Sequence, residues 1–150
     1  MIDIDLEDAA WTGALADAEA LVRRAAEATL ASEGAVGEGL SLLLTDDETI
    51  AELNRRFRQQ DRPTNVLSFP APQNPERFLG DVALAYGVCA REAQEQGKPL
   101  AHHLQHLVAH GVLHLLGYDH ETDAQADEME GLERAVLAGL GVPDPYLAGK

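Results

Sequence analysis

His110-Gly111-Val112-Leu113-His114-Leu115-Leu116-Gly117-Tyr118-Asp119-His120 carries three histidines and a turn-forming glycine at the spacing by which a helix and its following turn grip a metal ion. His110 and His114 are four apart, so on a helix their side chains stand on one face roughly 5 to 6 Å apart, which suits two imidazoles converging on one ion. Gly117 comes almost two turns after His110, where a glycine takes the left-handed position beyond a helix end without strain and lets the chain reverse. His120 then returns as a third ligand. Three protein ligands leave the fourth tetrahedral position for water, the arrangement of a catalytic rather than a structural zinc site.

The spacing resembles that of the HExxHxxGxxH zinc peptidases, with one departure. The residue after the first histidine, which in those enzymes is a glutamate acting as general base, is Gly111. The metal grip is kept and the peptidase base is lost, which points to a different substrate. A single helix histidine is most simply a hydrogen-bonded core residue; three at this spacing with the glycine in place read as ligands. His106 would lie roughly 12 Å along the axis from His114, too far to share one ion with both histidines of the pair, and reads as a supporting or core residue. His102 and His103 read as solvated or substrate-side groups. Asp119 is expected to orient a ligand histidine rather than to act as a base.

At 150 residues the chain is one domain, long enough to bury about two thirds of its unfolded surface. The single cysteine, Cys89, cannot form an internal bridge and sits in Val88-Cys89-Ala90, so it reads as a small buried thiol of a reducing compartment. Met1-Ile2-Asp3-Ile4-Asp5-Leu6-Glu7 is acidic where a secretory leader is basic, and no apolar run has the length of a membrane span; the expectation is a cytoplasmic protein without a membrane partner. The net charge of -15 argues against nucleic acid when taken alone. Its distribution softens that, because Arg55, Arg56, Arg58 and Arg62 fall within one short stretch. That stretch is either a local basic patch or a solvated helix end whose arginines favour the C-terminal dipole.

Outward from the motif, residues 2 to 6 alternate as a half-buried strand does, and an alanine-rich stretch from Gly13 to Ser32 reads as one long helix stopped by Gly34. Leu40 to Leu44 reads as a strand, followed by a helix opened by a Thr45/Glu48 capping box and carrying the arginines. Val66-Leu67-Ser68-Phe69 is a strand closed by Pro70, and Phe78 to Ala85 another, interrupted at Gly80-Asp81. Helices follow over 87 to 96, 99 to 116 (which bears the motif) and from Thr122 to about Gly141, the last with Met129, Leu132, Val136 and Leu137 towards the core. The elements neither alternate strictly nor segregate. The expected fold is α+β, a single domain with a small mixed sheet of about four strands and about five helices.

The run ending in His110 to His120 resembles the HGxLHLxGYDH signature of the YbeY family of bacterial metal-dependent endoribonucleases. Phe57-Arg58-Gln59-Gln60-Asp61-Arg62-Pro63-Thr64-Asn65-Val66-Leu67-Ser68-Phe69-Pro70 is similar to that family's arginine loop and strand, and Leu79-Gly80-Asp81-Val82 to its next strand. The likeness spans roughly residues 45 to 147 and leaves the N-terminal strand and helix uninformative. It implies one zinc ion held by His110, His114 and His120, single-strand-selective RNA cleavage, a role in 3′-end maturation of small-subunit (16S) ribosomal RNA and in ribosome quality control, and partners among the small subunit, a ribosomal protein and an assembly GTPase. Arg58 matches the family's functional arginine, and Arg58 and His114 are the residues expected to carry catalysis. The family commonly has glycine where this chain has Gln59, a change that bears on the loop's backbone. Imidazole ligands also accept nickel, copper, cobalt and iron. Two other readings fit the residues: a metallohydrolase of peptides or small substrates, and a non-catalytic ribosome-assembly factor with a structural metal.

Overall fold

The computed structural model describes residues 1–60 and 62–146. Four strands, β1 (Ile2–Leu6), β2 (Gly39–Thr45), β3 (Val66–Pro70) and β4 (Phe78–Ala85), form one sheet in the order β1-β2-β4-β3. β1, β2 and β4 are parallel, and β3 runs antiparallel to β4. Among the described residues there are six helices: α1 (Ala10–Ala14), α2 (Ala18–Ser32), α3 (Asp47–Arg58), α4 (Tyr86–Gln96), α5 (Leu100–Leu115) and α6 (Asp123–Gly139). The mixed α+β sheet expected from the sequence is present, with one helix more than the pattern suggested.

Alternation along the central strands divides the core in two, because successive side chains leave a strand on opposite faces. Leu40, Leu42 and Leu44 of β2, with Val82 and Leu84 of β4, meet α2 and α5 in the larger cluster. Ala83 and Ala85 join Leu67 of β3 and Ile50 of α3 in the smaller one. α5 lies between the sheet and α6 and is buried along most of its surface, from His103 to Leu115.

Three local readings change. The long helix expected over 13 to 32 is broken, because Leu15 is extended and Trp11 of α1 is fully buried, its indole N–H donating to Thr45 O at 3.0 Å and its ring edge-on to Tyr86. The burial of Trp11 against Thr45 and Tyr86 is a long-range contact that the alanine-rich spacing does not reveal. The cap of α3 is Asp46 rather than Thr45: its carboxylate accepts from Thr49 N at 2.7 Å, while the Thr45 hydroxyl donates to Glu7. Capping holds the Asp46 carboxyl below its usual range. β4 runs through Gly80-Asp81 without a break; the shift in pairing with β2 places an irregularity there instead.

The Thr122 and Gln125 capping box of α6 forms as the spacing requires. Cys89 is fully buried, and its surroundings push the thiol far above its usual range, burial first and the Glu92 charge second.

Candidate metal centre

α5 ends in a Schellman turn. Gly117 N–H donates to His114 O and Tyr118 N–H to Leu113 O, both at 3.0 Å, with Gly117 at φ 102, a backbone state open to glycine. The turn is held against the end of α2 by the Tyr118 hydroxyl, which donates to Glu33 Oε1 at 2.5 Å. Asp119 Oδ1 accepts from His120 N at 2.8 Å, so it fixes the backbone of the third histidine rather than its ring.

The result is three converging imidazoles. His110 and His114 Nε2 atoms are 3.2 Å apart, and one ligand atom from each of His110, His114 and His120 lies within 4.8 Å of the others. Ligands about 2.0 Å from a tetrahedral zinc ion are separated by about 3.3 Å, so the first pair already has the spacing the ion needs. Burial holds the His114 ring below its usual pKa, and the neighbouring His110 and His120 act in the same direction. The neutral form favoured there is the form that ligates metal. The donor set fits zinc.

Glu133 is a site residue that the motif spacing does not reveal. This α6 residue is completely buried, next to the half-buried Leu132 that the sequence pattern turns towards the core. Its Oε2 lies 2.6 Å from His110 Nδ1 and its Oε1 2.8 Å from His106 Nε2, and it accepts a further hydrogen bond from the Tyr146 hydroxyl. Burial alone would favour the neutral acid, but the bonds from His106, His110 and Tyr146 outweigh it and hold the carboxyl down at about 2. Tyr146 is pushed well above the usual phenol range by burial and by the bond to Glu133. A helical period marks Glu133 as inward-facing only if the stripe is drawn through Met129 and Val136 rather than through Leu132.

The three histidines border an open cleft of about 930 Å³ whose other wall comes from the end of α3 and the loop before β3. Arg58 and Arg62 line it; Arg55, paired with Glu52, and Arg56, over the Phe57 ring, do not. One Arg58 nitrogen donates to Ser68 O at 2.5 Å, and its guanidinium lies 5.6 Å from the Phe69 ring centre. Gln59, in place of the glycine common in the resembling family, takes the left-handed conformation at φ 56 that ends α3. Asp61 lies outside the described residues.

His106, read from its spacing as a supporting or core residue, contacts Glu133 and does not border the cleft. His102 and His103 do not border the cleft. His103 is buried, with Nε2 2.9 Å from Glu92 Oε1, and His102 lines a separate cavity of about 220 Å³. Position 111 has no room for a base. A Cβ there would stand 2.7 Å from Val82 Cγ1 and 3.2 Å from Ser68 Oγ, because α5 packs its backbone onto β3 and β4 at this point.

The chain matches the family model described as Endoribonuclease YbeY over residues 4–141, which takes in the N-terminal strand and helices that the motifs left uninformative. It is 52% identical to an "Endoribonuclease YbeY" of Rhodopseudomonas palustris, covering 96% of this chain and 80% of the relative. A relative of the same name from Azorhizobium caulinodans is 53% identical over 97% of this chain and 95% of its own length. One from Cereibacter sphaeroides is 48% identical over 97% and 98%. A Thermotoga maritima protein solved in solution superposes with a TM-score of 0.61 at 27% identity, covering 94% of this chain and 92% of that one. With the histidine turn, the arginine wall and the mixed sheet in the order its motifs require, this chain belongs to the Endoribonuclease YbeY family.

Proposed function

We propose that this chain is a single-domain, zinc-dependent endoribonuclease that cuts single-stranded RNA, acting in the cytoplasm on the 3′ end of small-subunit ribosomal RNA and in ribosome quality control. The observation that carries this reading is the sharing of one cleft by His110, His114, His120 and Arg58. Family membership, and relatives of about half identity that bear the endoribonuclease name, support the reaction class. Among the described residues no helix is long and apolar enough to cross a membrane. The acidic balance of -15 makes a poor general RNA surface, so delivery by the small subunit, a ribosomal protein or an assembly GTPase fits the charge.

The three histidines hold the zinc ion, which when bound supplies Lewis acidity to the phosphodiester. Arg58 binds phosphoryl oxygens. Its bond to Ser68 O fixes the guanidinium while leaving most of its five donors for a bidentate contact. Peptide hydrolysis of the HExxH type has no support, because position 111 faces the sheet, where even a Cβ would press on Val82 and a glutamate side chain has no room.

The test offers zinc-loaded protein a labelled single-stranded RNA, the same strand in a duplex, and a labelled peptide. Cleavage of the single strand alone, rising with protein and zinc and lost in His120→Ala, is the expected result. Peptide turnover without RNA cleavage would overturn the reading, and so would RNA cleavage independent of zinc.

A further inference from the structure

Among the contacts of the three histidines, those of Glu133 are the most constrained. An ionised carboxylate only accepts hydrogen bonds, so the contact of 2.6 Å requires the proton of neutral His110 to sit on Nδ1. His110 Nε2 is then a bare lone pair directed towards His114. The same logic applied to His106 places its proton on Nε2, and its Nδ1 is accordingly left buried without a partner among the described residues. That nitrogen is sacrificed to the carboxylate. The segment after α6 completes the arrangement: Asp144 Oδ1 accepts from Tyr146 N at 2.8 Å, Arg134 pairs with Asp144 and lies over the Tyr146 ring, and the Tyr146 hydroxyl donates to Glu133.

We propose that Glu133 is a positioning residue for the metal centre: with His106 and Tyr146 holding its Oε1, it locks His110 in the one tautomer and ring orientation that presents Nε2 to a divalent cation. Glu133 touches neither substrate nor ion, and its effect is exerted through His110. The inference rests on the proposed zinc site, and goes beyond it by assigning a determinant of affinity on a different helix, outside the motif that supplies the ligands. Its magnitude follows from the general behaviour of such partners, whose loss lowers metal affinity by about 10- to 100-fold.

Glu133→Gln is the sharpest variant. It keeps the shape but can accept only through Oε1, and it offers N–H groups where the second acceptor stood, so it cannot satisfy His106 and His110 in their present tautomers. Zinc affinity is read by competition with a chromophoric chelator, and the imidazole protons are read by long-range nitrogen–proton NMR on zinc-free protein. The expected results are a wild-type His110 protonated on Nδ1, loss of that state in Glu133→Gln, and a zinc dissociation constant raised about 10- to 100-fold. Wild-type His110 protonated on Nε2 would overturn the proposal, with no need for any variant to fold. Unchanged zinc affinity in a folded Glu133→Gln would do the same. A wild-type protein that takes up no zinc would refute the metal centre itself, while the tautomer measurement would still judge the role of Glu133.

Discussion

Gly111→Ala tests how tightly the metal-bearing helix is registered on the sheet. The new methyl would stand 2.7 and 3.3 Å from the two Cγ atoms of Val82 and 3.2 Å from Ser68 Oγ. Val82 is fully buried on β4, which is hydrogen-bonded on both sides, and its β-branched side chain has little rotamer freedom with which to escape. Overpacking of this kind costs about 1–3 kcal/mol. Alanine is better than glycine in a helix interior by about 1 kcal/mol. The net expectation is a loss of about 1 kcal/mol, or a Tm lower by about 2–4 °C for a domain of this size. Activity should suffer more than stability. Ser68 binds Gly111 O through its hydroxyl and Arg58 through its carbonyl, so any displacement of α5 from β3 changes the distance between the histidines and the arginine. Misplacement near 1 Å costs about 100-fold in rate. The assays are urea unfolding and RNA cleavage for Gly111→Ala, Val82→Ala and the pair. Room made by Val82→Ala should relieve the clash, leaving the double variant more stable than the sum of the singles by about 0.5–3 kcal/mol. A Gly111→Ala protein more stable than wild type, with additive energies in the pair, would refute the argument.

Arg58→Lys should lower cleavage of single-stranded RNA at least tenfold while leaving zinc affinity unchanged, since an ammonium cannot reproduce a bidentate contact; wild-type cleavage by this variant would remove Arg58 from phosphate binding. His114→Ala should lose stoichiometric zinc by elemental analysis and lose the thermal stabilisation that zinc gives the parent. Gln59→Gly should raise stability by up to about 1 kcal/mol in urea unfolding, because the left-handed backbone at φ 56 is strained for glutamine and free for glycine. His103 supplies a pH signature: burial, opposed by Glu92, lowers its pKa below the ordinary 6.5. The unfolded chain therefore takes the proton first, so this stability is present above about pH 6.5 and falls as the pH drops towards the folded value. His103→Gln should flatten the fall in unfolding free energy between neutral pH and pH 5.

Local periodicity and capping rules were enough for most of the elements, and for the ends of α5 and α6 nearly to the residue, because Pro99, Gly117, Thr122 and Gln125 act on their immediate neighbours. They failed where a distant partner decided the backbone. The break before α2 answers to Trp11 reaching Thr45, and the cap of α3 falls to Asp46 while Thr45 is engaged by Glu7. His103, which reads from the sequence as a solvated or substrate-side group, is buried with its ring against Glu92 of the neighbouring helix, a pairing that local spacing does not show.

The sequence by itself determined that three imidazoles converge, since His110 and His114 share a face by helical spacing and Gly117 turns the chain back for His120. It also showed that the base of the zinc peptidases is absent, but not why. Only the tertiary structure decided that Gly111 is spent on close packing against Val82, that Arg62 joins Arg58 in the cleft the histidines border while Arg55 and Arg56 stay outside it, and that Glu133 stands behind His110. Spacing along a helix is a local quantity fixed by the rise and turn of the backbone. Which residue from another helix meets it depends on how α6 and the sheet pack around α5, and no local pattern carries that.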